Sequence, residues 1–219
     1  DIARNLQSKI DSNFSKAVEE YAALPDSNGG QIINTDIARE LSPEYRADRT
    51  RSAEVHEPAS AFAKRVYAEK LANPTPEGKK PVVLFTGGGT GAGKSTGLKL
   101  LAESSDAEII YDTNMNSLNS AVTKIDQALN SGRDVSIMYV YRDPVEAMVN
   151  GALPRAERMG RTVPVESHAD THIGARVVID QLIDKYKDDS RVNVAVIDTS
   201  QGRNKAVVTT IDQIPKIDE

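Results

Sequence analysis

Eight residues constrain this chain more than any others: Gly88-Gly89-Thr90-Gly91-Ala92-Gly93-Lys94-Ser95, which satisfy the spacing G-x-x-x-x-G-K-[ST]. They follow an apolar run, Val82 to Thr86, and precede a stretch that reads as a helix from Lys94 to Glu103. A strand, a glycine turn and a helix in that order make a phosphate cradle. Glycine lets the backbone curl until successive amide hydrogens point at one place, and the helix adds the positive end of its dipole. Lys94 is expected to reach the β and γ phosphates, Ser95 to ligate Mg²⁺, and Thr96 to lie toward the α phosphate. A glycine turn that merely packs closely is the plainer explanation, and the complete spacing in this setting speaks against it. The motif implies ATP or GTP with Mg²⁺, held by Gly88, Gly89, Thr90, Gly91, Ala92, Gly93, Lys94, Ser95 and Thr96. Alone it does not separate a kinase from a motor or a switch.

From Pro81 onward, short apolar runs alternate with longer amphipathic ones, the pattern of a parallel α/β sheet with helices on both faces. Strands are expected at Val82–Thr86, Glu108–Tyr111, Val135–Tyr141 and Val192–Ile197, and helices at Lys94–Glu103, Leu118–Asn130, Val145–Met159 and Ala169–Tyr186. The front part, residues 1–72, reads as mostly helical. Ile2, Leu6, Ile10, Phe14, Ala17, Val18 and Tyr21 form one apolar stripe ending before Pro25, and a helix spans about His56 to Leu71. Between them Ile32-Ile33 reads as a short strand, with Thr35 or Asp36 capping a following helix. The loop Asn73 to Lys80 separates this front part from the 81–219 core, and at 219 residues the two are expected to form one P-loop NTPase-like domain. The net charge of -5 argues against a nucleic-acid partner, and no apolar run approaches the ~20 residues of a membrane span. A cytoplasmic protein is expected. The chain has no cysteine, which removes thiolate chemistry.

Phosphoryl transfer to a hydroxyl asks for a metal-side acid and a base. Asp36, Asp112, Asp143 and Asp198 each follow an apolar run, and in a parallel sheet such positions share the edge where the glycine loop sits. Helix capping is the competing role, and Asp143 before Pro144 fits it best. Arg142, Arg155, Arg158 and Arg161 lie between Tyr141 and Pro164. Arg155 and Arg161 are the candidates to clamp a migrating phosphate, with Arg158 on the same helix face as Arg155 and Glu146 and Glu157 as competing ion-pair partners. His168 and His172 are four apart, but Ala169 stands where zinc-protease chemistry needs glutamate, so surface or substrate-side histidines are expected.

These residues resemble the zeta toxin family of P-loop kinases, the toxins of bacterial toxin–antitoxin systems, from about Gln31 to Tyr186. The resemblance rests on Ile33-Asn34-Thr35-Asp36-Ile37-Ala38-Arg39 with Ser42-Pro43-Glu44-Tyr45, on Asp112-Thr113-Asn114, and on Arg155 and Arg161 after a further strand. In the family the aspartate–arginine segment follows the P-loop helix, whereas here it precedes the P-loop, so the chain looks circularly permuted there. Asn114 also replaces a family threonine. The resemblance implies transfer of a γ phosphate from ATP or GTP to a hydroxyl of a nucleotide-linked small molecule, a UDP-sugar such as UDP-N-acetylglucosamine, or NAD. It implies Asp36, Lys94, Arg155 and Arg161 as catalytic residues, Arg39, Asp112, Asn114 and Arg158 as acceptor contacts, and Ser95 with Asp112 at Mg²⁺. Permutation makes Asp112 a rival to Asp36 as the base. An antitoxin or further domains of a longer chain are implied partners, and the first helix either covers the sheet or plugs the nucleotide site as helical antitoxins do. The alternative function is a regulatory nucleotide-hydrolysing module with no small-molecule acceptor.

Overall fold

The computed structural model describes residues 1–94, 97–98, 105–160, 164–202 and 205–216. The front part holds α1 (Ile2–Ser12), α2 (Phe14–Ala23), β1 (Ile32–Ile33), α3 (Thr35–Arg39), α4 (Pro43–Ala47) and α5 (His56–Ala72). The expected first helix is two. Asn13, at φ -157°, leaves the helical region, and its side chain accepts from Lys16 N to start α2. Buried Ile2, Leu6, Ile10, Ala17 and Tyr21 still line one side of the pair, so the apolar stripe survives the break.

The core continues with β2 (Lys80–Gly87), β3 (Ala107–Asp112), α6 (Leu118–Asn130), β4 (Asp134–Tyr141), α7 (Pro144–Ala147), α8 (Leu153–Met159), α9 (Val165–Tyr186), β5 (Val192–Asp198) and β6 (Val207–Thr209). The expected strands are present, and the helix expected at Val145–Met159 is interrupted. Met148–Ala152 winds as one π-helical turn between α7 and α8. α9 starts four residues before the expected Ala169, after Pro164. The helix expected over Lys94–Glu103 falls largely outside the described residues.

The six strands lie in the order β1-β3-β2-β4-β5-β6, all parallel except the antiparallel edge strand β6. β2 is central and apolar on both sides. Val83 and Phe85 face a core shared with α5, α6 and α9, while Leu84 packs with Leu98, Ile110, Met138 and Val140 on the other face. Phe85 stacks on Tyr111, and Tyr67 meets both rings edge-on, tying α5 to the sheet. After β2 the chain moves to one side for β3 and returns to the other side for β4. This reversal leaves a crevice beyond the carboxyl end of β2, the usual ligand position in such sheets.

β1 has two residues and depends on its surroundings. Tyr21 donates its hydroxyl to Ile32 O at 2.7 Å and accepts from Asn34 N at 3.0 Å, and Gln31 donates its side-chain amide to Ala107 O at 2.8 Å. β1 pairs in parallel with β3, Ile33 opposite Tyr111, so the front segment delivers its carboxyl end to the same edge as the glycine loop. Asn34, rather than Thr35 or Asp36, caps α3. Its Oδ1 accepts from Asp36 N and Ile37 N, the geometry of an N-cap one residue earlier than the sequence suggested.

Candidate active site

The glycine loop turns at the end of β2 with Gly88, Gly91 and Gly93 all at positive φ, 139°, 71° and 97°. Two of these positions also lack room. A Cβ on Gly88 would run into Val140 O, and one on Gly91 into Ala147 O. The loop closes on Lys94, whose ammonium donates to Gly88 O at 2.7 Å and to Asn114 Oδ1, with Thr113 O at 3.4 Å. Burial pushes the Lys94 pKa below its ordinary value. Asp112 and then Asp36 pull it back up, while Arg155 pushes it down further. The Lys94 ammonium therefore sits within electrostatic reach of both candidate carboxylates and of the candidate clamp. Ser95, Thr96 and Arg161 lie outside the described residues.

Asp112 ends β3 directly opposite Thr86 in register. Its Oδ1 accepts from the Thr86 hydroxyl at 2.6 Å, and its Oδ2 from Asn34 Nδ2 at 2.5 Å, so two neighbouring strands fix its orientation. Asp36 lies on the first turn of α3 with its side chain 47% exposed, paired to Arg39 at 2.8 Å. Arg39 extends the other way to His56 Nδ1 at 2.8 Å. Asp143 and Asp198 take local roles instead. Asp143 accepts from Glu146 N and caps α7, and Asp198 accepts from Ser200 N.

Arg155 on α8 and Arg158 one turn later both line the crevice, and Arg158 Nε donates to Pro154 O. Arg142 is buried at the end of β4, where it donates to Gly91 O at 3.3 Å and pairs with Glu146. The sequence offered Arg142 only as one of four arginines. His168 and His172 are neither surface nor substrate-side groups. They are 3% and 2% exposed and sit behind the loop, because α9 passes beneath it and turns both imidazoles toward Thr90. Their spacing carried that signal: positions 168, 172, 175, 179, 182 and 186 continue one buried stripe of α9.

The crevice encloses about 1080 Å³. Its lining includes Gly91, Ala92, Gly93, Lys94 and Arg155 of the loop and α8, Asp112, Thr113 and Asn114 after β3, and Asp36, Arg39, His56, Ser60, Lys64 and Lys124 of the front part and α6. Burial, and after it the like charge of Lys64, lowers the Lys124 pKa from its usual value. Among the described residues α1 and α2 contribute nothing to this lining, and no helix is long and apolar enough to cross a membrane. The first two helices stay out of the crevice, and α1 packs on α5 and on the turn Arg49–Val55.

The zeta toxin family model matches residues 101–211, and no curated protein sequence matches the chain. Among solved structures, the AvrRxo1-ORF1:AvrRxo1-ORF2 complex with sulphate ions is similar over 93% of this chain at 18% identity, with a TM-score of 0.57. The same complex with ATP, and its native form, give the same values. In each case the chain spans 54% of the matched chain, about half its length. At that identity the likeness concerns the fold: a mostly parallel six-stranded α/β sheet.

Proposed function

The chain belongs to the zeta toxin family, and from that premise we propose that it is a P-loop kinase transferring the γ phosphate of ATP or GTP to a hydroxyl of a nucleotide-linked small molecule. The observation that carries this is the convergence on one crevice of a phosphate loop, two carboxylates and an arginine, all within electrostatic reach of Lys94. A nucleotide switch needs the loop, a metal-side acid and at most an arginine. A kinase also needs a base and room for a second substrate.

In this mechanism the loop amides and Lys94 hold the β and γ phosphates, and Arg155 with Arg161 neutralises charge on the migrating group. Two carboxylates compete for the acceptor proton. Asp112 exerts the stronger pull on Lys94 and is held from both sides by Thr86 and Asn34, whereas the charge of Asp36 is already met by Arg39. We assign the proton to Asp112, and give Asp36 and Arg39, with Asn114 and Arg158, the task of holding the acceptor. The mixed charge of Asp36, Arg39, Lys64 and Lys124 in the lining suits a nucleotide-linked acceptor, and UDP-N-acetylglucosamine is the first to test. Among the described residues no cluster of three histidine or acidic side chains could hold a metal ion. Mg²⁺ in phosphate-transfer sites takes one or two protein oxygens and completes its shell with phosphates and water. Ser95 would hold it, with Asp112 kept for the acceptor proton, and it would neutralise charge on the β and γ phosphates. A protein partner belongs to this proposal as well, since the structures of similar fold are two-component complexes.

The test is incubation with γ-labelled ATP and a panel of UDP-sugars, NAD and nucleosides, with Lys94→Ala as control. Label on one acceptor, absent with the variant, is the expected result. Label released only as free phosphate, whatever the acceptor, supports the hydrolytic alternative and defeats the kinase assignment.

A further inference from the structure

His168, Thr171 and His172 share one face of α9, and no step of the proposed transfer uses them. All three meet the phosphate loop at a single residue. Thr90 donates its amide to Thr171 Oγ1 at 3.1 Å, its hydroxyl lies 2.5 Å from His168 Nδ1, and its carbonyl oxygen lies 2.8 Å from His172 Nε2. A carbonyl only accepts, so His172 Nε2 carries the hydrogen. The imidazole also packs on the loop, since a Cβ on Gly89 would collide with its ring.

The next two carbonyls are tied in the same way. Gly91 O accepts from Arg142 Nη1 at 3.3 Å, and Ala92 O lies 2.9 Å from Thr199 Oγ1, whose single hydrogen it shares with Tyr141 O at 3.0 Å. Three successive loop carbonyls are thus drawn to three different elements: α9, the end of β4 and the turn after β5. In a trans peptide the carbonyl and the following amide point opposite ways, so fixing the oxygens of residues 90, 91 and 92 fixes the amides of Gly91, Ala92 and Gly93. Ala92 N bonds within the loop to Gly89 O at 3.3 Å, while Gly91 and Gly93 keep the direction their peptide planes impose.

We propose that His172, Arg142 and Thr199 are positioning residues that set the phosphate loop in its anion-binding shape before nucleotide arrives. Each acts through a loop carbonyl. Their contribution is preorganisation: with the oxygens untied, binding must first reorder the amides, and affinity falls by that cost. The inference rests on the loop's being a triphosphate site, and is independent of which acceptor receives the phosphate.

The experiment is equilibrium titration of the full chain with ATP and, separately, with inorganic tripolyphosphate, both with Mg²⁺, for the wild type, His172→Leu, His172→Gln and Thr199→Val. Melting temperatures are measured in parallel. His172→Leu and Thr199→Val are expected to weaken both ligands about tenfold, the scale of one lost hydrogen bond. His172→Gln, whose side-chain amide can still donate to Thr90 O, is expected to recover most of that loss. Equal affinity of wild type, His172→Leu and Thr199→Val for both ligands overturns the inference while leaving the kinase proposal intact. So does a fall in melting temperature shared by both His172 variants with no change in affinity. Failure of the wild type to bind either ligand removes the triphosphate reading and this inference with it.

Discussion

Gly151 lies in the π-helical turn between α7 and α8, where two backbones meet without a side chain between them. A Cβ at this position would lie 2.7 Å from Gly91 O, 3.0 Å from Gly91 Cα and 3.3 Å from Gly91 C. All three atoms are backbone, so no side chain can rotate aside. Gly91 cannot retreat cheaply either, because it occupies the left-handed region at φ 71° and is tied to Arg142. In Gly151→Ala the α7–α8 segment must therefore back away from the phosphate loop by roughly half an ångström, at the ~1–3 kcal/mol typical of overpacking. For a chain of this size that lowers the melting temperature by roughly 2–12 °C. Arg155 follows one turn later on the same segment and moves with it. Since a 1 Å misplacement of a catalytic group can cost ~100-fold, kcat is expected to fall about tenfold. Steady-state turnover of ATP with the acceptor, read beside a thermal melt, measures both effects. Unchanged kcat and melting temperature in Gly151→Ala would refute the claim that this helix is seated on the loop through paired glycines.

Asp112→Asn should lower kcat by ~10²–10⁴-fold with little change in nucleotide affinity, as loss of a general base does, whereas Asp36→Asn should mainly raise the acceptor KM. The reverse assignment of the two effects would move the base to Asp36. Glu108→Ala strips the carboxylate from Arg133 in a pair whose side chains are 3% and 6% exposed, and should cost ~3–5 kcal/mol by denaturant unfolding. Tyr21→Phe removes the hydroxyl that joins Ile32 O to Asn34 N, and a loss of about 1–3 kcal/mol is expected, with reduced activity because Asn34 steadies Asp112. Burial, against the hydrogen bond to Thr90, lowers the His172 pKa to about 4. The unfolded chain then takes up the proton first, so stability is complete above the ordinary histidine pKa of ~6.5 and declines as pH falls toward 4, by about 3 kcal/mol in all. His172→Gln should flatten that part of the stability–pH curve, and an unchanged slope would contradict the assignment.

The sheet was legible because its signals are local. Val82–Thr86 before the glycine spacing, and apolar runs ending at Asp112 and Tyr141, state a parallel α/β order without reference to anything distant. The candidate carboxylates were legible for the same reason, since strand ends share an edge. What escaped depends on contacts made far along the chain. Asn34 captured the cap of α3 because Tyr21 and Asp112 hold it from two sides, and a run of Asn, Thr and Asp offers three plausible caps. The break at Asn13 leaves the apolar stripe in phase, so periodicity could not show it. The π turn has no pattern of its own. It becomes intelligible only from the approach of Gly151 to Gly91. His168 and His172 read as solvent-facing because imidazoles usually are, although Ala175, Ile179, Leu182 and Tyr186 extend their stripe into the core.

The central claim is that residues from both parts of the chain converge on one magnesium-bound triphosphate, and a crystal structure with Mg²⁺ and a non-hydrolysable ATP analogue tests it most directly. The γ phosphate is expected within hydrogen-bond reach of Lys94 and Arg155, with the Asp112 carboxylate facing it and the Asp36–Arg39 pair on the open side of the crevice. A triphosphate bound away from the Gly88–Lys94 loop, or an Asp112 carboxylate turned from the γ phosphate toward the sheet, would contradict it.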